Sequence, residues 1–348
     1  MKSFSDVSIN EYLVMILKQI FYLGHWIIKL DRTTFSSSLN YAQKKSHKTK
    51  TAILLDIVYC VLTYKISIME YFQFIFFLLG KEERKTYVGT PCLEEYLSKM
   101  NPKSSCSILN NKLKFLETYA PFIKRSYATL ADVQARNDSL SKVLHNKSGK
   151  IVLKWTYGQC GLRIKVLSAR DLDSEAMIKY LQETGNDFVE EFVVQNKDLM
   201  RLAPSGLNTL RIVTRLNSND EVEILGTTLR ISINASIDNW SAGNIAAPIN
   251  PTTGIVDGPA FYKDITRPDE YRHPITNVEI IGFKIPYWKE ALQLAKDAAL
   301  FNKNNKCIGW DIAITDDGPE LIEGNNNWCK VFWQLSAKKG LKSLLEPS

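Results

Sequence analysis

The sequence has little of what usually builds metal centres or staples secreted folds. Its six cysteines (Cys60, Cys92, Cys106, Cys160, Cys307 and Cys329) contain no C-x-x-C pair, and its four histidines (His25, His47, His145 and His273) lie far apart. That spacing argues against a zinc site. The opening residues Met1 to Asp6 provide no h-region ahead of a small-residue cleavage site, so a cytoplasmic location with reduced thiols is expected. No apolar run reaches the roughly 18 residues a membrane span needs. Lys18, His25 and Lys29 interrupt the stretch 12–30, and Asp56, Lys65 and Glu70 interrupt 52–79. Buried or amphipathic helices are expected there instead, with Ile68 to Leu79 apolar enough to rest against lipid head groups. Arginine and lysine nowhere interleave with aromatics as in a base-stacking surface, which argues against a nucleic-acid partner. No internal repeat or low-complexity segment is present.

What is present describes an ordinary globular chain. At 348 residues and 45% apolar, it has material for two or three cooperating units. The net charge of +7 fits a protein that handles nucleotides, acidic sugars or an anionic membrane surface, and says nothing about fold. The first hundred or so residues read as a helical accessory unit, interrupted by the basic run Gln43 to Lys50. That run reads as a solvated loop, with a lipid or polyanion contact as the alternative. From Asn110 to about Val143, Leu113, Phe115, Leu116, Tyr119, Phe122 and Ile123 have helical spacing. Beyond that the texture becomes β-rich, with strands expected at 151–154, 162–167, 187–194, 210–216, 222–233, 307–315 and 320–323. Helices are expected at 172–184, capped by Asp173 or Ser174, and at 287–301 on a narrow alanine stripe.

The stretch Gly309 to Asn325 carries the most chemistry. It reads as a hairpin: with Asp316-Asp317-Gly318 as a three-residue loop and Gly318 left-handed, Thr315 faces Pro319 and Asp311 lies opposite Glu323. Side chains so paired share one face with β-carbons about 5 Å apart, and Asn325 projects from that face as well. Two carboxylates and an amide oxygen make a hard-oxygen set suited to Mg²⁺ shared with ATP phosphates. Without a cation the paired charges would repel. The alternative is a polar sheet face on which the two acids are separately solvated.

These residues resemble the C-terminal motif of the ATP-grasp superfamily, an Asp on one strand and a Glu-x-Asn on the next. Other segments fall in the family's order. Ile151 to Lys154, followed by Gly158-Gln159-Cys160-Gly161, resembles its strand–lysine–glycine loop. Lys154 would supply a point charge for phosphate oxygens, and Gly158 and Gly161 would let backbone N–H groups approach them; a surface lysine and a tight turn are the plain alternative. Asp187 to Val194 resembles the segment between the two halves of the fold that reads adenine. Glu190 and Glu191 are its acidic candidates, and Phe192 and Val193 its apolar contacts. Arg211 and Arg230 alternate with apolar residues on strands and suit phosphate or carboxylate oxygens, or salt bridges on a sheet face. The loop Asp238 to Gly243, with Asn239, matches the place where family members approach the γ-phosphate and acceptor.

The closest resemblance is to the sugar-transfer-associated ATP-grasp proteins of capsule and surface-polysaccharide clusters. It rests on 208–214, 238–247, 282–288 and 309–325. Two departures, Asn244 where a second glycine is common and Asn326-Asn327-Trp328 after the Glu-Gly-Asn motif, lie near the expected acceptor pocket. The resemblance implies an α+β ATP-grasp fold, with two subdomains gripping ATP. Its parts would be a helical accessory region over 1–109, the first grasp subdomain over 110–189 and the second over 190–348. It further implies a Mg·ATP-dependent carboxylate–amine ligase, with Asp311, Glu323 and Asn325 on the metal and Arg211, Arg230 and Asn239 at the reacting groups. The substrates would be a small-molecule or sugar carboxylate and an amine; separately, the apolar N-terminal helices leave peripheral membrane contact open. A kinase and an inactive scaffold at the membrane surface are the rival classes.

Overall fold

The computed structural model describes residues 21–158, 161, 163–170, 172–234 and 243–346. Asn239, Gln159 and Cys160 lie outside the described residues. The chain forms two compact units. The first comprises Met1–Tyr96, Asp264–Pro268 and Cys329–Pro347; the second comprises Leu97–Lys263 and Asp269–Trp328.

The first unit is helical. Its helices Arg32–Ser46, Lys50–Tyr64 and Ile68–Gln73 follow one another closely, and Lys330–Ala337 belongs to the same unit. The basic run 43–50 is not a loop. His47, left-handed at φ 57°, ends one helix, and the Thr49 side chain caps the next by accepting from the Ala52 N–H. Capping by Thr and a left-handed stop leave only three residues between the helices. Residues 68–79 likewise differ from a lipid-facing helix. After six helical residues the chain turns tightly, and Tyr71, Phe72, Phe74, Phe76 and Phe77 are all buried. The Arg84 guanidinium closes this core, donating at 2.8 Å to both carboxylate oxygens of Asp56 and also to the Phe76 carbonyl.

The second unit contains two antiparallel sheets. The first has the order β1-β4-β2-β3, from Tyr127–Thr129 (β1), Lys150–Lys154 (β2), Lys165–Ser168 (β3) and Phe188–Glu191 (β4). The second has the order β7-β6-β5-β8-β9, from Thr209–Leu216 (β5), Val222–Ile231 (β6), Ile245–Pro248 (β7), Cys307–Thr315 (β8) and Gly318–Asn325 (β9). Each sheet has its own core. Ile151, Leu153, Met177, Leu181 and Val189 pack on the first, and Leu210, Ile212, Leu229, Trp310 and Ile312 on the second. The helix Trp288–Phe301 buries Ala291, Ala295, Ala298 and Ala299, small side chains that let it lie close to the second sheet.

The helical pattern over 110–143 is interrupted. A helix at Lys112–Thr118 gives way to a 3₁₀ turn at Ala120–Phe122, then to β1 and the short helices Leu130–Gln134 and Asp138–Leu144. Pro121 cannot donate to a continuing helix. Thr129 and Asp132 form a capping box, and Asn137 caps the last helix, each restarting the chain locally. The expected strand 187–194 ends at Glu191, so Phe192 and Val193 lie just beyond it. β3 starts later than expected, and β7 was not anticipated.

Candidate active site

The row of charges on the second sheet follows from strand register. Arg211 on β5 is opposite Asp311 on β8, and Asp311 is opposite Glu323 on β9. Arg230 on β6 lies two residues beyond Thr228, the partner of Arg211, and so faces the same way. Four side chains from four adjacent strands therefore share one face. Arg211 holds Asp311 through Nε to Oδ1 at 2.5 Å and Nη2 to Oδ2 at 2.9 Å, while Arg230 Nη1 donates to Oδ2 at 2.9 Å. Burial raises the Asp311 carboxyl, but the two guanidinium charges overcome it and hold it below the ordinary aspartate value.

The hairpin reaches the Asp311–Glu323 pairing by a different route from the one the sequence suggested. Its loop is shorter, with Thr315 opposite Gly318 rather than Pro319. That register would place Ile322 opposite Asp311. A bulge between Asp311 and Ile312 takes up one residue and restores Glu323 to that place. Gly318 is left-handed, at φ 98°. The glycine between Glu323 and Asn325 has a packing reason: Gly324 is opposite Trp310, and a β-carbon there would come within 2.8 Å of the buried indole.

Asn325 Nδ2 lies 3.5 Å from Asp311 Oδ2 and 3.4 Å from Glu323 Oε1, and donates to the Gly309 carbonyl at 3.2 Å. All three candidate metal ligands thus converge. Turning the amide over, which leaves its shape unchanged, would present Oδ1 to a cation beside the two carboxylates. The donor set fits Mg²⁺ in type, two carboxylates and an amide oxygen with no softer ligand. Among the described residues no group of three His, Cys, Asp or Glu side chains could hold a metal, so a site here would need the asparagine and phosphate oxygens to complete it.

The first sheet supplies the second half of the site. Val152 is opposite Glu190 and Lys154 opposite Phe188, which makes Lys154 and Glu190 diagonal neighbours on one face. Lys154 Nζ forms an ion pair with Glu190 Oε1. Glu191 points the other way, is half-buried, and accepts the Ser126 N–H at 3.2 Å. Strand alternation thereby separates two glutamates that the sequence left as equal candidates. Beyond the strand, the Phe192 ring lies under Lys150 Nζ at 5.5 Å, and Val193 is half-buried.

The residue that composition and spacing missed is Arg125. Its Nε donates to Glu190 at 3.0 Å and its Nη1 to Glu320 at 2.8 Å and to the Leu321 carbonyl at 2.9 Å, while Nη2 reaches the Ile322 carbonyl at 3.2 Å. One buried guanidinium thus joins β4 of the first sheet to β9 of the second. Glu320 also accepts the backbone N–H groups of Lys124 and Arg125. A Lys-Arg pair after a proline-containing turn gave no sequence signal of this role.

Lys112 opens the helix Lys112–Thr118. Its Nζ donates to the Gly158 carbonyl and lies 3.8 Å from Glu323 Oε2. It thereby links the glycine loop to the candidate metal set. Gly161 is left-handed at φ 76°, a conformation glycine adopts without steric cost. The loop's far end is fixed by Arg163, stacked on Trp155 at 4.8 Å and donating to the Gly185 carbonyl at 3.1 Å. Thr156 Oγ1 is buried with no hydrogen-bond partner among the described residues, a spare donor beside the loop. A small cavity is lined by Lys112, Arg125, Lys154, Glu190 and Glu323, with Phe115 and Phe188 among its apolar walls. The described residues on either side of 235–242 are held in place: Ser232 N–H donates to Asn208 Oδ1 at 2.8 Å, Ile233 N–H donates to Asn244 Oδ1 at 2.9 Å, and the Ser232 carbonyl accepts from His273 Nε2 at 2.9 Å.

Burial raises the Glu190 carboxyl, yet Arg125 and Lys154 bring it from an ordinary 4.5 down to about 2. Burial lowers the Lys154 ammonium, with Glu190 opposing it. Because the folded value of Glu190 is depressed, its stabilisation is complete above the unfolded value and is lost as pH falls through about 2. The shift corresponds to something on the order of 3 kcal/mol. In acid titrations followed by tryptophan fluorescence, Glu190→Gln is expected to be less stable than the parent at neutral pH. Its stability should also change less with pH through that acid window.

The description "Sugar-transfer associated ATP-grasp" matches residues 92–347. No protein of curated function matches the chain. Among solved structures, the chain is similar to the biotin carboxylase–β,γ-ATP complex from Campylobacter jejuni, with 12% identity and a TM-score of 0.42, covering 69% of this chain and 46% of that one. An L-amino acid ligase from Bacillus licheniformis has 13% identity and a TM-score of 0.38 over 70% of this chain and 49% of that one. The D-cycloserine synthetase DcsG has 11% identity and a TM-score of 0.40 over 73% of this chain and 80% of that one. The chain spans about half the length of the first two. With about three-quarters of its length matched by one family, the chain belongs to the sugar-transfer associated ATP-grasp proteins.

Proposed function

We propose that the chain is a Mg·ATP-dependent carboxylate–amine ligase that works through an acyl-phosphate, in the cytoplasm, during surface-polysaccharide biosynthesis or modification. The observation that carries this reading is the convergence of Lys154 and Glu190 from the first sheet with Glu323 from the second on one cavity. Asp311, flanked by Arg211 and Arg230, extends the row from Glu323.

A carboxylate is a poor electrophile, because its charge is delocalised over both oxygens. Transfer of the γ-phosphoryl group to one oxygen, with ADP leaving, creates a good leaving group on the acyl carbon. An amine nitrogen then attacks that carbon, phosphate departs with the bonding pair, and the nitrogen gives up a proton. Mg²⁺ held by Asp311, Glu323 and Asn325 would neutralise triphosphate charge. Lys154 would exchange its contact with Glu190 for a phosphate oxygen, while Arg125 keeps Glu190 neutralised. Arg211 and Arg230 hold Asp311 in place and bring their guanidinium charge to the transferring phosphoryl or the carboxylate. Asn239 would act from the segment beyond Ser232, and Glu191, Phe192 and Val193 would border the adenine. Gly158 and Gly161 would bring backbone N–H groups to the phosphates. The carboxylate is a uronic-acid sugar or an amino acid.

One observation favours a second reading, an inactive scaffold: Asp311 is already neutralised by two arginines and needs no cation for its own sake. Incubating the protein with Mg·ATP, uronic or amino acids and amines separates the classes. A ligase yields equimolar ADP, phosphate and amide. A kinase yields ADP and a phosphorylated hydroxyl compound without free phosphate, and a scaffold yields neither; either result would overturn the ligase reading.

A further inference from the structure

The helix Lys50–Tyr64 is apolar on two sides. Ile53, Ile57, Cys60 and Val61 point into the first unit's core, which accounts for one side. Leu55 is 68% exposed, and Leu54, Val58 and Tyr59 are 40–45% exposed. Spacings of three and four residues put these four side chains on one outward face, along which Lys50 stands one turn before Leu54. Single exposed apolar residues are unremarkable, but a contiguous face on one helix marks an interaction surface. The preceding helical stretch 21–28 is tied to the end of this helix by Tyr22 Oη, which donates to the Lys65 carbonyl at 3.4 Å. It adds Phe21, Ile27 and Ile28, each more than half exposed.

Basic residues dominate the segment that carries this face, although Asp31 stands exposed just after the stretch 21–28 and Glu70 and Glu94 lie near Tyr22. Between Arg32 and Met69 the only acid is Asp56, and it is engaged by Arg84 at 2.8 Å. Over the same span stand Arg32, Lys44, Lys45, Lys48, Lys50 and Lys65. Lys44 and Lys45, exposed in the last turn of the preceding helix, stand near Lys50 in the chain, since only His47 to Thr49 separate the two helices. Lys65 ends the helix that carries the face.

We infer that this face docks on an anionic membrane surface, its leucines, valine and tyrosine entering the head-group boundary while the lysines meet lipid phosphates. Among the described residues, no helix is long and apolar enough to cross a membrane, so the contact is peripheral. The charge pattern is what selects lipid over a second copy of the chain, since two copies meeting by this face would bring like-charged lysines together.

The test is flotation of the full-length protein with vesicles of phosphatidylcholine alone or mixed with phosphatidylglycerol. The parent should float with the mixed vesicles only, and less so at high salt. Lys44→Gln, Lys45→Gln and Lys50→Gln should each weaken the apparent affinity about fivefold. The double variant Leu55→Glu/Val58→Glu should weaken it at least about tenfold, with an unchanged melting curve because both side chains are exposed. Failure of the parent to float, equal flotation with both vesicle types, or variants that float like the parent would each overturn the inference. So would a parent that dimerises through Leu55 without binding vesicles.

Discussion

Replacing Arg125 by methionine is expected to lower folding stability by about 3–5 kcal/mol, because it leaves two buried carboxylates without their cation. Arg125 is 6% exposed, and Glu190 and Glu320 are each 3% exposed, so water cannot take its place. The side chain also satisfies the carbonyls of Leu321 and Ile322, both on β9. Lys154 would remain beside Glu190, but among the described residues no other side-chain cation is paired with Glu320. Burial lowers the Arg125 guanidinium, whereas Glu190 and Glu320 more than restore it, so the group stays charged at every accessible pH. Adding Glu190→Gln to Arg125→Met should recover part of the loss, with a coupling of about 0.5–3 kcal/mol in denaturant unfolding of the four proteins. A loss under about 1 kcal/mol for Arg125→Met would contradict its place as the tie between the two sheets.

Asp311→Asn and Glu323→Gln should behave differently although the two acids are opposite each other. Asp311 is buried between two guanidinium groups, and the neutral amide would leave Arg211 and Arg230 facing each other without a counter-charge. The expected cost is about 3–5 kcal/mol of stability. The Glu323 side chain is 40% exposed, and its nearest cation is Lys112 at 3.8 Å. Its replacement should cost less than about 1 kcal/mol. Denaturant titrations of the ligand-free proteins check both figures. Equal losses would mean that the carboxylates act as one structural unit.

The sequence made the second sheet's site legible because strand alternation and a single hairpin fix which side chains share a face. Asp311, Glu323 and Asn325 could be grouped from spacing alone, although the loop length was misjudged and a bulge compensated for it. That bulge has no sequence mark, since the bulge site carries neither glycine nor proline. The arginines could be placed on strands but not paired, because a bulge at Val213/Thr214 shifts the β5–β6 hairpin register and 100 residues separate Arg211 on β5 from Asp311 on β8. Arg125 was invisible for the same reason: its partners are 65 and 195 residues away. The short elements over 120–144 had local signals in Pro121, Thr129 and Asn137, which the helical spacing of Leu113 to Ile123 obscured. In the first unit, apolar composition alone could not separate the aromatic core at 71–77 from a lipid-facing stretch, because tight turns bury neighbours that a continuous helix would expose.

The most direct measurement is the melting temperature of the parent, Lys154→Met and Glu323→Gln with saturating ATP, with and without Mg²⁺. Ligand at about 100 times its dissociation constant adds roughly 2.7 kcal/mol, a readily visible shift. The expected result is a Mg²⁺-dependent rise in the parent that shrinks in both variants, with Glu323→Gln melting like the parent when no nucleotide is present. No rise in the folded parent, or an undiminished rise in Glu323→Gln, would contradict the assignment of this site to Mg·ATP.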